Sequence, residues 1–226
     1  MPLHTSHEYA AELRALKDRI LTMGGRCESI MLRAMLAVEQ HDADLALLVE
    51  STDAEINADE VAVDEMAVRI LALRQPVGRD LRFLVSALKV VVDLERIGDE
   101  AVNIAERARE LAESTRMPPT AKLLPHASEL ALAMLRDALD AFVDGNVEKA
   151  RDVLVRDDAV DECYGEIVRK SMAYMAEHPE DIKASMSVAS CAKYIERIAD
   201  HSTNIAEMVV YMVRGEDVRH RFSLEK

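Results

Sequence analysis

The chain has 226 residues, half of them hydrophobic and only 4% aromatic, with 7 Gly, 6 Pro and no Trp; good helix formers dominate, so an all-helical protein of one or two domains is expected. Its 28 Lys and Arg against 42 Asp and Glu leave a formal net charge of −14, which argues against nucleic acid and for cations or basic protein surfaces as partners. No apolar run reaches the roughly 18 residues that a membrane span needs.

The first helix is expected from about Ser6, with a stripe of Leu13, Leu16, Ile20, Met23, Cys27, Ile30 and Ala34. Residues 1–13 have no apolar segment of the kind a signal peptide carries. Gly24-Gly25 interrupts the stripe, by a close helix crossing or a kink. Asp42 caps the second helix, which runs to about Leu73 before Gln75-Pro76 and Gly78 break it. Acids interrupt its apolar side: Asp53 with Asn57, and Glu60 with Asp64, one turn apart. The third helix is expected from about Asp80 to Thr115. Its first half, Leu81 to Leu94, is apolar nearly all round and reads as a buried central helix.

Met117-Pro118-Pro119-Thr120 is the strongest break and separates two halves. A fourth helix carries Leu130, Met134, Leu135, Ala138, Leu139 and Phe142 and ends at Gly145. Asn146 caps the fifth, which holds Asp157 with Asp161 and Glu162 with Glu166, and runs to about Glu177. The sixth runs from about Asp181 to Arg214, closed by Gly215. The last eleven residues read as a mobile tail. Cys27, Cys163 and Cys191 are odd in number and widely spaced, so they read as buried free thiols in a reducing cytoplasm.

One stretch occurs twice. Glu-Arg-Ile-Gly-Asp-Glu-Ala-Val-Asn-Ile-Ala-Glu at 95–106 returns as Glu-Arg-Ile-Ala-Asp-His-Ser-Thr-Asn-Ile-Ala-Glu at 196–207, eight of twelve positions identical at an offset of 101. The second and fifth helices match at an offset of 104. The fold expected is all-α: a tandem duplication of two three-helix bundles, six long helices in all. The repeats span residues 1–116 and 120–215, with a tail at 216–226.

Helical periodicity places Glu95, Asp99, Asn103 and Glu106 on one oxygen-rich stripe, and Glu196, Asp200, Asn204 and Glu207 on its twin. Like charges at this spacing repel by about 0.2–0.5 kcal/mol per pair, so a stripe built twice suggests a bound cation. Leu84 and Leu88 lie close in angle to Glu95 and Asp99, so the acids continue a core face. Oxygen ligands suit Mg, Ca, Mn, Fe or Zn. The acids on helices two and five are the available partners. The plain alternative is a solvated or arginine-neutralised surface, although Arg96 and Arg197, about 100° round the helix, are expected to point elsewhere. A metal-free helical scaffold and a di-metal carboxylate enzyme are the other classes. The enzyme would need Glu-x-x-His motifs, and none occurs. No nucleophile–base pair or Gly-rich phosphate loop is present, so no catalytic site is expected.

Glu-Arg-Ile-x-Asp-x-x-x-Asn-Ile at 95–104 and 196–205 resembles the PhoU family of phosphate-uptake regulators. So do Arg69 to Pro76 followed by Asp80-Leu81-Arg82, the Asp53…Glu60…Asp64 pattern, and the ending Tyr211 to Gly215. The resemblance implies two three-helix bundles side by side and multinuclear clusters, of iron or zinc foremost, on Glu/Asp-x-x-x-Asp motifs. Carried over, the ligands are Glu95 with Asp99 and Glu196 with Asp200, then Asp53 with Asn57 and Asp157 with Asp161. Asn57 stands where an acid is expected, so the two sites need not hold the same ions. The resemblance further implies a cytoplasmic, dimeric negative regulator of phosphate-starvation signalling. Such a protein bridges the phosphate ABC transporter and a sensor histidine kinase, with peripheral rather than spanning membrane association.

Overall fold

Asp42 and Asn146 start their helices as their types dictate. The computed structural model describes residues 3–218, without the side chains of residues 3–6 and 50. Helix α1 spans Leu3–Gln40 and α2 Ala43–Arg74. The Asp42 carboxylate accepts from the amides of Asp44 and Leu45, both at 2.9 Å. Helix α3 spans Gly78–Ala112, α4 Leu124–Asp144, α5 Val147–Glu177 and α6 Ile182–Arg214. The Asn146 side chain accepts from the Lys149 amide at 3.1 Å. Short 3-10 turns at Pro119–Leu123 and Pro179–Asp181 lead into α4 and α6. No strand occurs among the described residues. Most of the expected tail lies outside them.

The punctuation differs in detail. Gly78 does not break a helix: it is the first residue of α3, at φ 59°, while Gln75 takes the left-handed conformation that ends α2. Helix α3 ends three residues before Thr115, closed by Glu113. Helix α1 runs unbroken through Gly24-Gly25. A Cβ on Gly24 would lie 2.5 Å from Leu139 of α4, whereas one on Gly25 would meet nothing. The pair therefore marks a close crossing, and only its first glycine is needed for it.

Helix α3 packs against α1, α2 and α6, and α6 packs against α3, α4 and α5. Each half is thus a three-helix bundle, and the two share a seam of α3 on α6. The core runs through both: Leu16, Ile20, Met23 and Ile30 of α1, Ile56 of α2, Leu84, Leu94, Ile97 and Ile104 of α3, and Phe142 of α4 are all fully buried. Each such side chain contributes about 1.5–3 kcal/mol when taken from water. Helix α3 is less enclosed than its apolar first half suggests, since Leu81 and Val92 face solvent. Cys27 and Cys191 are buried and Cys163 is half-buried, all three as free thiols. The Cys27 thiol donates to the Leu94 carbonyl at 3.2 Å, and burial pushes the Cys191 thiol up to about 12. No helix among the described residues is long and apolar enough to cross a membrane.

Candidate metal centre

In the first half the site is built where α2 crosses α3 closely. Gly98 permits the approach: a Cβ there would lie 3.1 Å from Asp53 Oδ1 and 3.2 Å from Ile56 Cδ1. The Asp53 carboxylate therefore rests against the α3 backbone. Asn57 donates to its Oδ2 at 3.1 Å, and its Oδ1 is buried with no partner. A buried carboxylate oxygen left unpaired is costly, which sets this atom apart from the other acids of the cluster. Glu95 and Asp99 come from α3 and Glu60 from α2, all three partly buried. Burial pushes the Glu95 carboxyl above its ordinary range, helped by the charges of Asp99, Glu60 and Asp53 and opposed by Arg96. Burial and Asp99 raise Asp53, against the Asn57 hydrogen bond. Burial, Asp64 and Asp99 raise Glu60, against Arg96. These carboxylates repel one another at a partly buried crossing, with Asp99 more open than Glu95, at 40% side-chain exposure against 19%.

Arg96 does not point elsewhere, as the 100° step suggests. Its guanidinium folds back along the helix to 3.2 Å from Asp99 and 3.5 Å from Glu95. It remains on the rim, with a side chain 56% exposed. Arg197 does turn away and donates to Glu100 of α3 at 3.1 Å.

In the second half Glu196 and Asp200 stand on α6, facing Asp161 of α5. Burial, Glu196 and Asp161 raise the Asp200 carboxyl, while Lys193 and His201 pull it down. Asp200 is itself an exposed residue, so water screens much of this field. Asp157 lies one turn before Asp161 and is half-buried. Glu162 faces solvent, and Glu166 pairs with Lys170 on its own helix.

The remaining stripe residues are drawn elsewhere. Asn103 donates to Glu100 at 3.1 Å, and Glu106 pairs with the neighbouring Arg107 at 3.2 Å. Asn204 donates to Asp93 across the seam at 3.0 Å, and Glu207 lines the same α3–α6 groove as Asn204 and Asp93. His201 Nδ1 reaches Asp93 at 2.9 Å. Each stripe thus splits after its first two acids: in the first the rest pair along α3 itself, and in the second they turn to the α3–α6 seam.

Among the described residues, the His, Cys, Asp and Glu ligand atoms that gather within 4.8 Å belong to His178, Glu180 and Asp181 at the α5–α6 turn, not to the stripes. That trio is already committed: Tyr174 donates to Asp181 at 2.7 Å, and Arg116 lies 3.9 Å from it. The stripe acids stand further apart, each drawn to Asn57, Arg96 or its own side of the crossing. Asp59 is a residue the periodicity hides. It is fully buried and held by Arg19 at 2.6 Å and by Arg26, both from α1. These two arginines fasten α1 to α2 at the residue before Glu60.

The PhoU domain model matches residues 20–108 and again 124–209. The chain belongs to the PhoU family. It is 42% identical to a phosphate-specific transport system accessory protein PhoU homologue of Pseudomonas putida over 96% of this chain and 85% of that protein. It is 39% identical to the accessory protein PhoU of Escherichia coli K12, over 96% and 90%. The crystal structure of PhoU from Pseudomonas aeruginosa superposes with a TM-score of 0.89 at 39% identity, covering 92% of this chain and all of that one. That of the phosphate transport system regulatory protein PhoU from Streptococcus pneumoniae gives 0.87 at 30% identity, over 93% and 99%. The tandem helical fold read from the duplication is the PhoU fold. These relatives are accessory and regulatory proteins of phosphate transport, not enzymes. The first-half donors suit a hard or borderline cation in kind: carboxylate and amide oxygens, one of them buried and unpaired beside Gly98.

Proposed function

We propose that this PhoU protein is a cytoplasmic adaptor and negative regulator. It links the phosphate ABC transporter to a sensor histidine kinase and restrains phosphate-starvation signalling when phosphate is plentiful. The names of its relatives support the transporter side. The acidic surface suits basic partner faces, where complementary charge raises the rate of encounter and selects the partner. Association with the membrane is peripheral, through the transporter. Pull-down with the transporter's nucleotide-binding subunit and the kinase, at high and low phosphate, tests this. The outcome expected is retention of both with a phosphate-dependent strength; loss of both under every condition refutes the adaptor.

The reading includes a metal centre on Glu95 and Asp99 of α3 with Asp53, Asn57 and Glu60 of α2. The unpaired Asp53 oxygen is the observation that carries it. Iron and zinc are the first ions to test, then Mn, Mg and Ca. Protein purified without chelator is expected to carry metal that Glu95→Ala/Asp99→Ala loses. Equal, near-zero metal in both proteins refutes the centre.

The assembly proposed is a homodimer through the outer face of α2. Leu47, Ala54, Ala58, Val61, Val68 and Ala72 share that solvent-facing side. Their counterparts on α5 are Arg151, Asp158, Glu162, Gly165, Met172 and Ala176, half of them charged. An antiparallel pair of α2 helices centred near Val61 sets the small Ala54 and Ala58 of each copy against Val68 and Glu65 of the other. Glu65 is the one charge on that line of residues, in a molecule of net charge −14, so two copies meet there with little direct repulsion. Val61→Arg is expected to give a monomer in sedimentation equilibrium; an unchanged dimer would place the interface elsewhere.

A further inference from the structure

We infer that the second half holds no metal, because Lys193 is built into it as a resident cation in the ion's place. The inference rests on reading the first half as a metal centre. The two halves can be compared position by position through their two offsets. Val92 of the first half becomes Lys193, Glu60 becomes Tyr164, Asp64 becomes Val168 and Gly98 becomes Ala199. Each of these four changes removes a negative charge, adds a positive one or fills space; Asn57 becomes Asp161, which gives one negative charge back, so the second half keeps the acids that hold an ammonium.

Lys193 Nζ donates to both carboxylate oxygens of Glu196, at 2.7 and 2.6 Å, and Glu196 is only 13% exposed at its side chain. The ammonium stands 5.2 Å from the centre of the Tyr164 ring, a cation–π distance. Tyr164 is the residue that replaced Glu60, so the same pair of changes removed a ligand and made a seat for the lysine. On the other side stand Asp200 and, beyond it on α5, Asp161, whose charges reach this cluster. Ala199 brings a Cβ to the position where Gly98 leaves room for Asp53 in the first half.

A metal entering the second half would have to displace an ammonium already doubly bonded to the most enclosed carboxylate. It would then share the cluster with that charge on a short tether. Arg96 imposes nothing comparable on the first half. It comes from a different position, sits on the rim at 3.2 and 3.5 Å, and can swing into water. The duplicated motif therefore has two fates in one chain. One copy takes its cation from solution and the other carries its own.

The test is metal content of the full-length protein after loading with Zn²⁺ and, separately, Fe²⁺ under argon, followed by desalting. Glu95→Gln/Asp99→Asn is expected to lose at least tenfold of the bound metal, and Glu196→Gln/Asp200→Asn none. Lys193→Val, which restores the first half's residue, is expected to gain metal above wild type. In chelator-treated protein the same variant is expected to melt about 2–4 °C lower, with Lys193→Val/Glu196→Gln recovering most of that shift. Metal lost on Glu196→Gln/Asp200→Asn overturns the inference and leaves the first-half centre standing. So does a Lys193→Val protein with neither a gain of metal nor a lowered melting point. Metal in none of the four proteins overturns the centre itself, and this inference with it.

Discussion

At the scale of single residues, the first-half acids make a prediction about pH. Asp53, Glu60 and Glu95 have folded pKa values above their ordinary ones, burial being the main cause. The folded state then holds more protons than the unfolded state between those two values, so stability falls as pH rises through that window. Glu12 has the opposite sign, because the Arg74 hydrogen bonds at 2.8 and 2.9 Å hold it low. Its contribution is present above the ordinary Glu value and is lost as pH falls below it. Metal-free Glu95→Gln is therefore expected to melt higher than wild type near neutral pH and to lose that advantage on acidification, by thermal melts from pH 7 to pH 4. Bound metal should reverse the order, since the wild-type carboxylate then gains a partner. Gly98→Ala is the companion test: the added Cβ presses on Asp53 Oδ1 at 3.1 Å, and metal affinity is expected to drop at least tenfold with little loss of stability. Titration with Zn²⁺ reads it.

The acids themselves were legible in the sequence because they occur twice, and Asp53 with Asn57 was legible from its one-turn spacing. What each one touches was not. Arg96 was misplaced because a helical projection fixes the Cβ, while a long side chain bends back to reach i+3. Asp59 gave no signal, since nothing in α2 says that two arginines of α1 converge on it. Lys193 stands outside the repeated twelve residues. Its meaning appears only when the offsets of 101 and 104 are applied together.

At the scale of elements, caps and crossings carry the argument. Asp42 and Asn146 were read correctly because an N-cap is a local arrangement, complete within four residues. Asp42→Ala is expected to cost about 1 kcal/mol in urea unfolding, with no change in metal content. Gly24 could not be separated from Gly25 by sequence, because only the α4 neighbour distinguishes them. Gly24→Ala forces Leu139 off its position and is expected to cost about 1–3 kcal/mol, whereas Gly25→Ala should be neutral or stabilising. Gly78 was read as a breaker because a glycine after a proline is usually one. Here its positive φ turns the chain straight into α3. Helix α2 has a buried apolar side, Ala46, Val49, Ile56, Val63 and Ala67, which Asp53 and Glu60 do interrupt as the sequence indicates, and a second apolar side that faces outward.

At the scale of the whole molecule, the all-α duplication was readable from composition, the Pro-Pro break and the repeat. The joining of the halves through α3 and α6 was not. The sequence showed the first half of α3, Leu81 to Leu94, as apolar nearly all round, which is compatible with burial in its own bundle. The structure divides that surface between its own bundle and α6, and leaves Leu81 and Val92 open. Two of the seam's polar contacts join a residue shared by the repeats to one that differs: Arg197 and Asn204, matched by Arg96 and Asn103, meet Glu100 and Asp93, whose counterparts are His201 and Tyr194, so no comparison of the copies could point to them. Substituting Arg197→Ala is expected to leave Glu100 with Asn103 alone and to lower stability by about 1 kcal/mol or less, given how exposed the arginine is.

That seam joins unlike surfaces. Arg197 meets Glu100 and His201 meets Asp93. If one first half met another in the same way, Arg96 would keep the pair with Glu100, but Glu100 would also take the place of His201 and stand against Asp93, acid against acid. A second half meeting its own kind would set Arg197 against His201. Each bundle is therefore a poor mate for itself and a good one for its sister. Cut between Ser114 and Pro118, the chain should yield two fragments that ignore their own copies and reunite with each other when mixed.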